Sequence, residues 1–251
     1  MADDYDRLRP GPPDEALDWL VPRNCEVAVD IAAGTGLFTR VLQRRVRQVI
    51  AVEPDDRMRA VLAARSPGVR AVAGRGEAIP VPDASADAVF VSSAWHWLDP
   101  GQAVPEIARV LRDGGRLGVI WTSRDFRVDW VAELGMLRSP RADRPTQNNA
   151  RRRHEVTLPE NAPFENIASA SFAFTRTMTV DDAVDWMATY SRVITAPATE
   201  RAARLARVRE ALLRQANGAG LVEIRMRSAC WRADRVRRPT PQSAQGRFNV
   251  G

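Results

Sequence analysis

The feature that most restricts the fold of this chain is a train of short apolar runs separated by helix-length stretches. The runs are EVAVDIA (26–32), VIAVE (49–53), VRAVAG (69–74), ADAVFVSS (86–93) and RLGVIWT (116–122). Between them lie residues 36–46, with Leu37, Val41, Leu42 and Val46 on one face, and residues 55–65, opened by a capping Asp55. A third stretch, residues 101–112, is stopped by Asp113-Gly114-Gly115. Apolar runs of this length, without polar alternation and interleaved with helices, predict a parallel sheet covered on both faces. Its crossovers are right-handed, and ligands meet such a sheet at the carboxyl ends of its strands.

After Arg124 the pattern changes. Residues 139–163 are polar and read as a loop or lid. Residues 166–176 and 221–231 alternate and read as strands that pair as an antiparallel edge. Residues 179–194 and 198–216 read as helices lying over the ligand end. The expected whole is one α/β domain over residues 1–231. Its core spans about 23–123 and its cap about 124–231. A basic, disordered tail is expected over 232–251.

The first strand runs into Ala32-Ala33-Gly34-Thr35-Gly36, and a helix follows. A turn of small residues lets a ligand approach main chain, and the helix start offers free N–H groups to an anion. A dinucleotide fingerprint needs a third glycine, and Thr39 stands in its place. Asp30 at the strand end would repel a pyrophosphate and accept from an ammonium group. Glu53 closes the second strand about twenty residues after the glycines, where an acid can accept from a ribose diol.

Four phrases, in this order and spacing, resemble the class I S-adenosylmethionine-dependent methyltransferases: VDIAAGTGLFTRVL, AVEPDDRM, AVAGRGEAIPVPDASADAVFVSSAWHWLD and EIARVLRDGGRLGVIW. RVLRDGGRLGVI resembles the small-molecule, type 11 branch, and YDRLRPGPP, AWHW and WTSRD resemble its trans-aconitate-methyltransferase-like subgroup. The resemblance implies a Rossmann-like, doubly wound, mostly parallel seven-stranded sheet with an antiparallel edge strand and a helical cap. It implies S-adenosyl-L-methionine as cofactor and a small-molecule acceptor, methylated on a carboxylate or hydroxyl oxygen. Asp30, Ala32, Gly34 and Gly36 would meet the methionine part and Glu53 the ribose. Pro54 and Met58 would border the adenine, with Gly76 and Glu77 backbone on its other edge and Arg75 turned away. Ser92 and Ser93 would lie beside the transferable methyl. Tyr5 and Arg9 resemble a clamp over the cofactor. Trp95 and Trp97 are expected to wall the acceptor, Arg124 to bind it if it is anionic, and His96 to orient or deprotonate it.

Charge bears on one alternative. The net charge is +6, but residues 225–251 hold seven arginines and one acid, and the rest of the chain is balanced. The basic character is therefore a C-terminal feature. It motivates an RNA or other polyanion acceptor, although only Phe248 in the tail could stack on a base. A non-catalytic cofactor-binding module is the other alternative. Cys25 and Cys230 read as separate buried thiols, and the two histidines and two cysteines lack metal-ligand spacing. The charged N-terminus lacks the apolar stretch of a signal peptide. A cytoplasmic protein without membrane or metal is expected.

Overall fold

A computed structural model describes residues 11–138 and 155–237. In chain order the elements are α1 (Asp14–Leu20), β1 (Val27–Ile31), α2 (Leu37–Gln43), β2 (Gln48–Val52), α3 (Asp56–Arg65), β3 (Arg70–Val72) and β4 (Ala86–Ser92). A 3-10 turn follows (Trp95–Trp97), then α4 (Pro100–Val110), β5 (Leu111–Arg124) and α5 (Asp129–Arg138). The chain closes with β6 (Phe164–Thr179), α6 (Val180–Ala188), α7 (Ser191–Ile194), α8 (Ala198–Leu213) and β7 (Leu221–Arg235).

One seven-stranded sheet runs in the order β3-β2-β1-β4-β5-β7-β6. Strands β1 to β5 are mutually parallel. β7 is antiparallel to β5, and β6 to β7. This is the doubly wound sheet with an antiparallel edge that the apolar runs predict. Alternate residues of each strand feed opposite cores. Val29, Val91 and Val119 meet Val104 and Ile107 of α4, whereas Ala28, Phe90 and Ile120 meet Leu17 and Leu20 of α1 and Phe38 and Leu42 of α2. A third core joins Ala183, Val184 and Met187 of α6 and Leu212 of α8 to Met178 of β6 and Val222, Ile224 and Met226 of β7. That packing holds the cap beside the carboxyl end of β5, because Met226 pairs with Arg124.

The structure departs from the expectations in several places. α1 and α5 were not expected. α1 carries the acids Asp14 and Glu15 directly after Pro13, a helix-start signal that was available. The single 179–194 helix is two, divided at Thr189 and Tyr190. β5 starts at Leu111, not 116: Leu111 pairs with Ala86, and Asp113-Gly114-Gly115 lie in the register shift that follows. β7 continues four residues past 231. Ala233 is buried, Asp234 accepts from Arg116 at 2.8 Å, and Arg235 donates to the Leu111 carbonyl. Arginine-rich composition masked that strand, although its alternation persists.

Candidate active site

The turn after β1 carries three left-handed residues in five: Ala32 (φ 53°), Gly34 (φ 58°) and Gly36 (φ 83°). The Ala33 amide donates to the Val52 carbonyl at 3.2 Å and the Gly36 amide to the Ala33 carbonyl at 3.0 Å. Left-handed backbone costs a residue with a Cβ about 1–2 kcal/mol, so Ala32 is held there against its preference. Gly36 has a different reason for being glycine. A Cβ there would lie 2.9 Å from Leu62 and 3.0 Å from the Ser66 hydroxyl, so its bareness lets α2 and α3 close together.

Glu53 is buried, and its carboxylate braces this turn. Oε2 accepts from the Gly34 amide at 2.8 Å and Oε1 from the Asp55 amide at 2.9 Å. A carboxylate has about four acceptor directions, so both oxygens keep capacity for a ligand diol. Sequence reasoning assigned Glu53 only a ligand; its bonds to the turn are invisible without the fold.

A cavity of about 1200 Å³ opens at the carboxyl ends of β1, β2, β4 and β5. Asp30, Ala32, Gly34, Glu53, Pro54, Met58, Ser92 and Trp97, all candidate site residues from the sequence, line it. A smaller cavity of about 520 Å³ shares Ala32, Pro54 and Trp97 with it and adds Arg75, Gly76 and Glu77. Of the residues expected at the two edges of an adenine, Met58 lines the larger cavity, Gly76 and Glu77 the smaller, and Pro54 both. Arg75, expected to turn away, also lines the smaller cavity.

Several expected residues sit elsewhere. Gly36 is behind the turn, for the packing reason above. Trp95 is core and His96 is exposed, and neither lines either of these two cavities. In a 3-10 turn successive side chains diverge by about 120°. Of Trp95-His96-Trp97 only Trp97 therefore reaches the site, where it stays 78% exposed. Arg124 is 2% exposed and is not on the cavity wall. Tyr5, Arg9 and the 151–154 run lie outside the described residues. Ser93, expected with Ser92 beside the transferable methyl, lines the large cavity too; Thr122, Trp186 and Tyr190 line it without having been anticipated as its wall. Thr122 and Arg124 share one face of β5, a signal that was available; nothing in the sequence placed Tyr190.

Asp30 is fully buried. Its Oδ2 accepts from the Thr39 hydroxyl at 2.6 Å, and its Oδ1 has no hydrogen-bond partner. Burial pushes its pKa up to about 7; the Thr39 bond opposes this and the nearby Glu53 charge adds to it. A buried acceptor without a donor is costly, and this one lines the cavity. It is suited to a cationic donor brought by a ligand.

A family profile described as "Methyltransferase domain" matches residues 29–119. An uncharacterized methyltransferase of Mycobacterium tuberculosis is 44% identical over 208 residues, covering 83% of this chain and 82% of the relative. An uncharacterized methyltransferase-like protein of Schizosaccharomyces pombe is 30% identical over 204 residues, covering 79% and 78%. Among solved structures, a candidate type II methyltransferase from Anaeromyxobacter dehalogenans superposes with a TM-score of 0.69 at 24% identity. That match covers 92% of this chain and 99% of that one.

Proposed function

The chain belongs to the S-adenosylmethionine-dependent methyltransferases, and on that premise we propose that it methylates an oxygen of a small-molecule acceptor. The observation that carries the cofactor half is the unpartnered Asp30 Oδ1, buried at the wall of a cavity that also holds Glu53. These residues fit the cofactor: Asp30 would accept from its ammonium group and Glu53 from its ribose hydroxyls. Gly34 and Ala32 leave room along the turn. Pro54 and Met58 would lie on one side of the adenine, with Gly76, Glu77 and Trp97 on the other. Bound there, the cofactor supplies an electrophilic methyl group on a sulfonium.

The cavity exceeds the ~300–1,000 Å³ of a pocket for one ligand, which supports cofactor and acceptor sharing it. Ser92, Ser93 and Thr122, with Trp186 and Tyr190 from the cap, make the acceptor wall. Their work is to hold the acceptor oxygen in line and to keep water away, and positioning of that kind supplies much of the acceleration of a displacement. His96 has no part in this reading.

The RNA alternative loses support from the arginines that motivated it. Arg225 donates to Thr175, Arg227 to Asp125 and Ser171, and Arg235 to the Leu111 carbonyl. Arg232 stacks on Trp19 at 4.1 Å. These cations are held by the fold itself. The deciding experiment is calorimetry with S-adenosylhomocysteine. Wild-type protein should bind it, and Glu53→Ala should bind at least tenfold more weakly, losing both the diol acceptor and the brace on Gly34. Folded wild-type protein that does not bind would sink the proposal.

A further inference from the structure

Three buried side-chain atoms without a hydrogen-bond partner belong to this region: Asp30 Oδ1, Arg124 Nε and Trp186 Nε1. The first is an acceptor facing no donor. The other two are donors facing no acceptor, and one of them carries a charge. Among the described residues the Arg124 side chain makes a single hydrogen bond, from Nη1 to Met187 Sδ at 3.1 Å, and no ion pair. Aromatic rings box its guanidinium: Phe126, Tyr190 and Trp186 have centroids 5.3, 5.4 and 5.8 Å from Cζ. The neighbouring acid does not serve it, because Asp125 is engaged by Arg127 and Arg227.

Cation–π contacts return about 2 kcal/mol each when desolvated, but they give the guanidinium N–H groups no acceptor, and Nε has none. Burying an unpaired ion costs several kcal/mol. A guanidinium left in this condition is incomplete, and the missing group is an anion.

The position says whose anion it is. Register places Asp30 beside Phe90, and Phe90 beside Gly118. Arg124 is therefore two strands over and six residues further along, roughly 20 Å up the strand direction at ~3.3 Å per residue. A carboxylate on the same carbon as an ammonium held by Asp30 cannot reach it. Thr122, Trp186 and Tyr190, its neighbours, line the acceptor end of the cavity.

We infer that Arg124 is the anchor for a carboxylate of the acceptor, separate from the oxygen that is methylated. The inference rests on the methyltransferase reading for the word acceptor, but not for the anion site. A monoanion neutralises one guanidinium in an aromatic box, whereas a phosphate dianion would leave a net charge there. Arginine offers a planar two-donor edge that matches a carboxylate, and Trp186 Nε1 adds a donor. Lone pairs committed to that edge make a poor nucleophile, so the anchored group is a handle. Because Trp186 and Tyr190 now close the guanidinium off, one ring swings aside as the carboxylate arrives. Tyr190, at the break between α6 and α7, is placed to do so.

The test uses the full chain saturated with S-adenosylhomocysteine, with sodium benzoate as probe and benzamide as its uncharged counterpart, at matched ionic strength. Benzoate should raise the melting temperature of wild-type protein and benzamide should not. Arg124→Met should lose the benzoate response while binding S-adenosylhomocysteine within about twofold of wild type. Arg124→Lys keeps the charge but lacks the planar edge; it should bind benzoate at least tenfold more weakly and serves if the methionine variant does not fold. No benzoate response in wild type, an equal response in both folded variants, or protection by inorganic phosphate in place of benzoate would each overturn the inference. So would loss of S-adenosylhomocysteine binding in both variants, which would make Arg124 a support of the fold. Wild-type protein that fails to bind S-adenosylhomocysteine would defeat the methyltransferase reading, while the benzoate comparison, repeated without it, still decides the anion site.

Discussion

Asp30 is the residue on which the cofactor half of the site turns, and its proton makes the site sensitive to pH. Its pKa is raised from an ordinary 3.8 to about 7, first by burial. A folded state that holds a proton more tightly than the unfolded chain is favoured at low pH, and this contribution is lost as pH rises through 7. Binding of an ammonium group runs the other way, since only the ionised carboxylate attracts it. Affinity for S-adenosylhomocysteine should therefore fall up to about tenfold per pH unit below 7 and level off above it. Calorimetry between pH 5.5 and 8.5 reads this directly. Asp30→Asn should flatten the profile, weaken binding, and gain melting temperature over wild type at the alkaline end only. Two residues on, Ala32→Gly should relieve the left-handed strain and leave stability unchanged or up to about 1 kcal/mol higher, since the unfolded chain also gains freedom. Ala32→Val, β-branched at φ 53°, should destabilise; urea melts of the two proteins make the comparison. Both residues were legible in the sequence as a strand-end acid and a small turn residue. Thr39, which bonds Asp30, was read only as a missing glycine, because a partner nine residues away becomes adjacent only once the turn has folded.

Among elements, the packing of α2 against α3 gives a residue expected at the site a structural role of its own. Gly36 was expected to touch the cofactor. Instead it caps α2 in a left-handed conformation and lets Leu62 of α3 approach. Gly36→Ala should cost about 2–3 kcal/mol, from left-handed strain and from displacement of Leu62. Because the fault lies between helices, S-adenosylhomocysteine affinity at low temperature should change less than the urea midpoint. If affinity collapses while stability holds, the residue contacts the ligand after all. The same lesson applies to Trp95-His96-Trp97. Aromatic composition marked the segment, but only the 3-10 geometry sorts one core residue, one exposed residue and one cavity residue from three adjacent letters. Elements with a long, clean period were legible to within a few residues. α1 was marked by its start, Pro13 before Asp14 and Glu15, and not by a period.

At the scale of the whole molecule, the sheet order and the cofactor end follow from patterns within single segments, whereas the acceptor end is assembled from parts that the sequence keeps far apart. Arg124 comes from β5, and Trp186 and Tyr190 from the cap about sixty residues later. They meet only because β7 returns antiparallel between β5 and β6. Their partnership had no local signal, and so the acceptor could not be read from any one stretch. The role of β7 as keystone also sets where the fold can be cut. A chain ending after Trp231 would lose the buried Ala233, the Asp234 bond to Arg116 and the Arg235 bond to the Leu111 carbonyl. It would free Arg116, Leu117 and Gly118 in the first half of β5 from their β7 partners, although Met226 would still pair with Arg124. A chain ending after Arg237 keeps all three. The longer truncation should melt within a few degrees of the full chain and bind S-adenosylhomocysteine unchanged. The shorter one should melt well below both. Nucleic-acid binding measured across a salt series separates the remaining roles. Arg238 and Arg247 are the only two of the seven C-terminal arginines removed by the longer truncation. If RNA binding is specific and depends on them, its salt slope should drop by about two when they go. Equal binding by both proteins, or none by either, leaves the 238–251 segment without a part in choosing the acceptor.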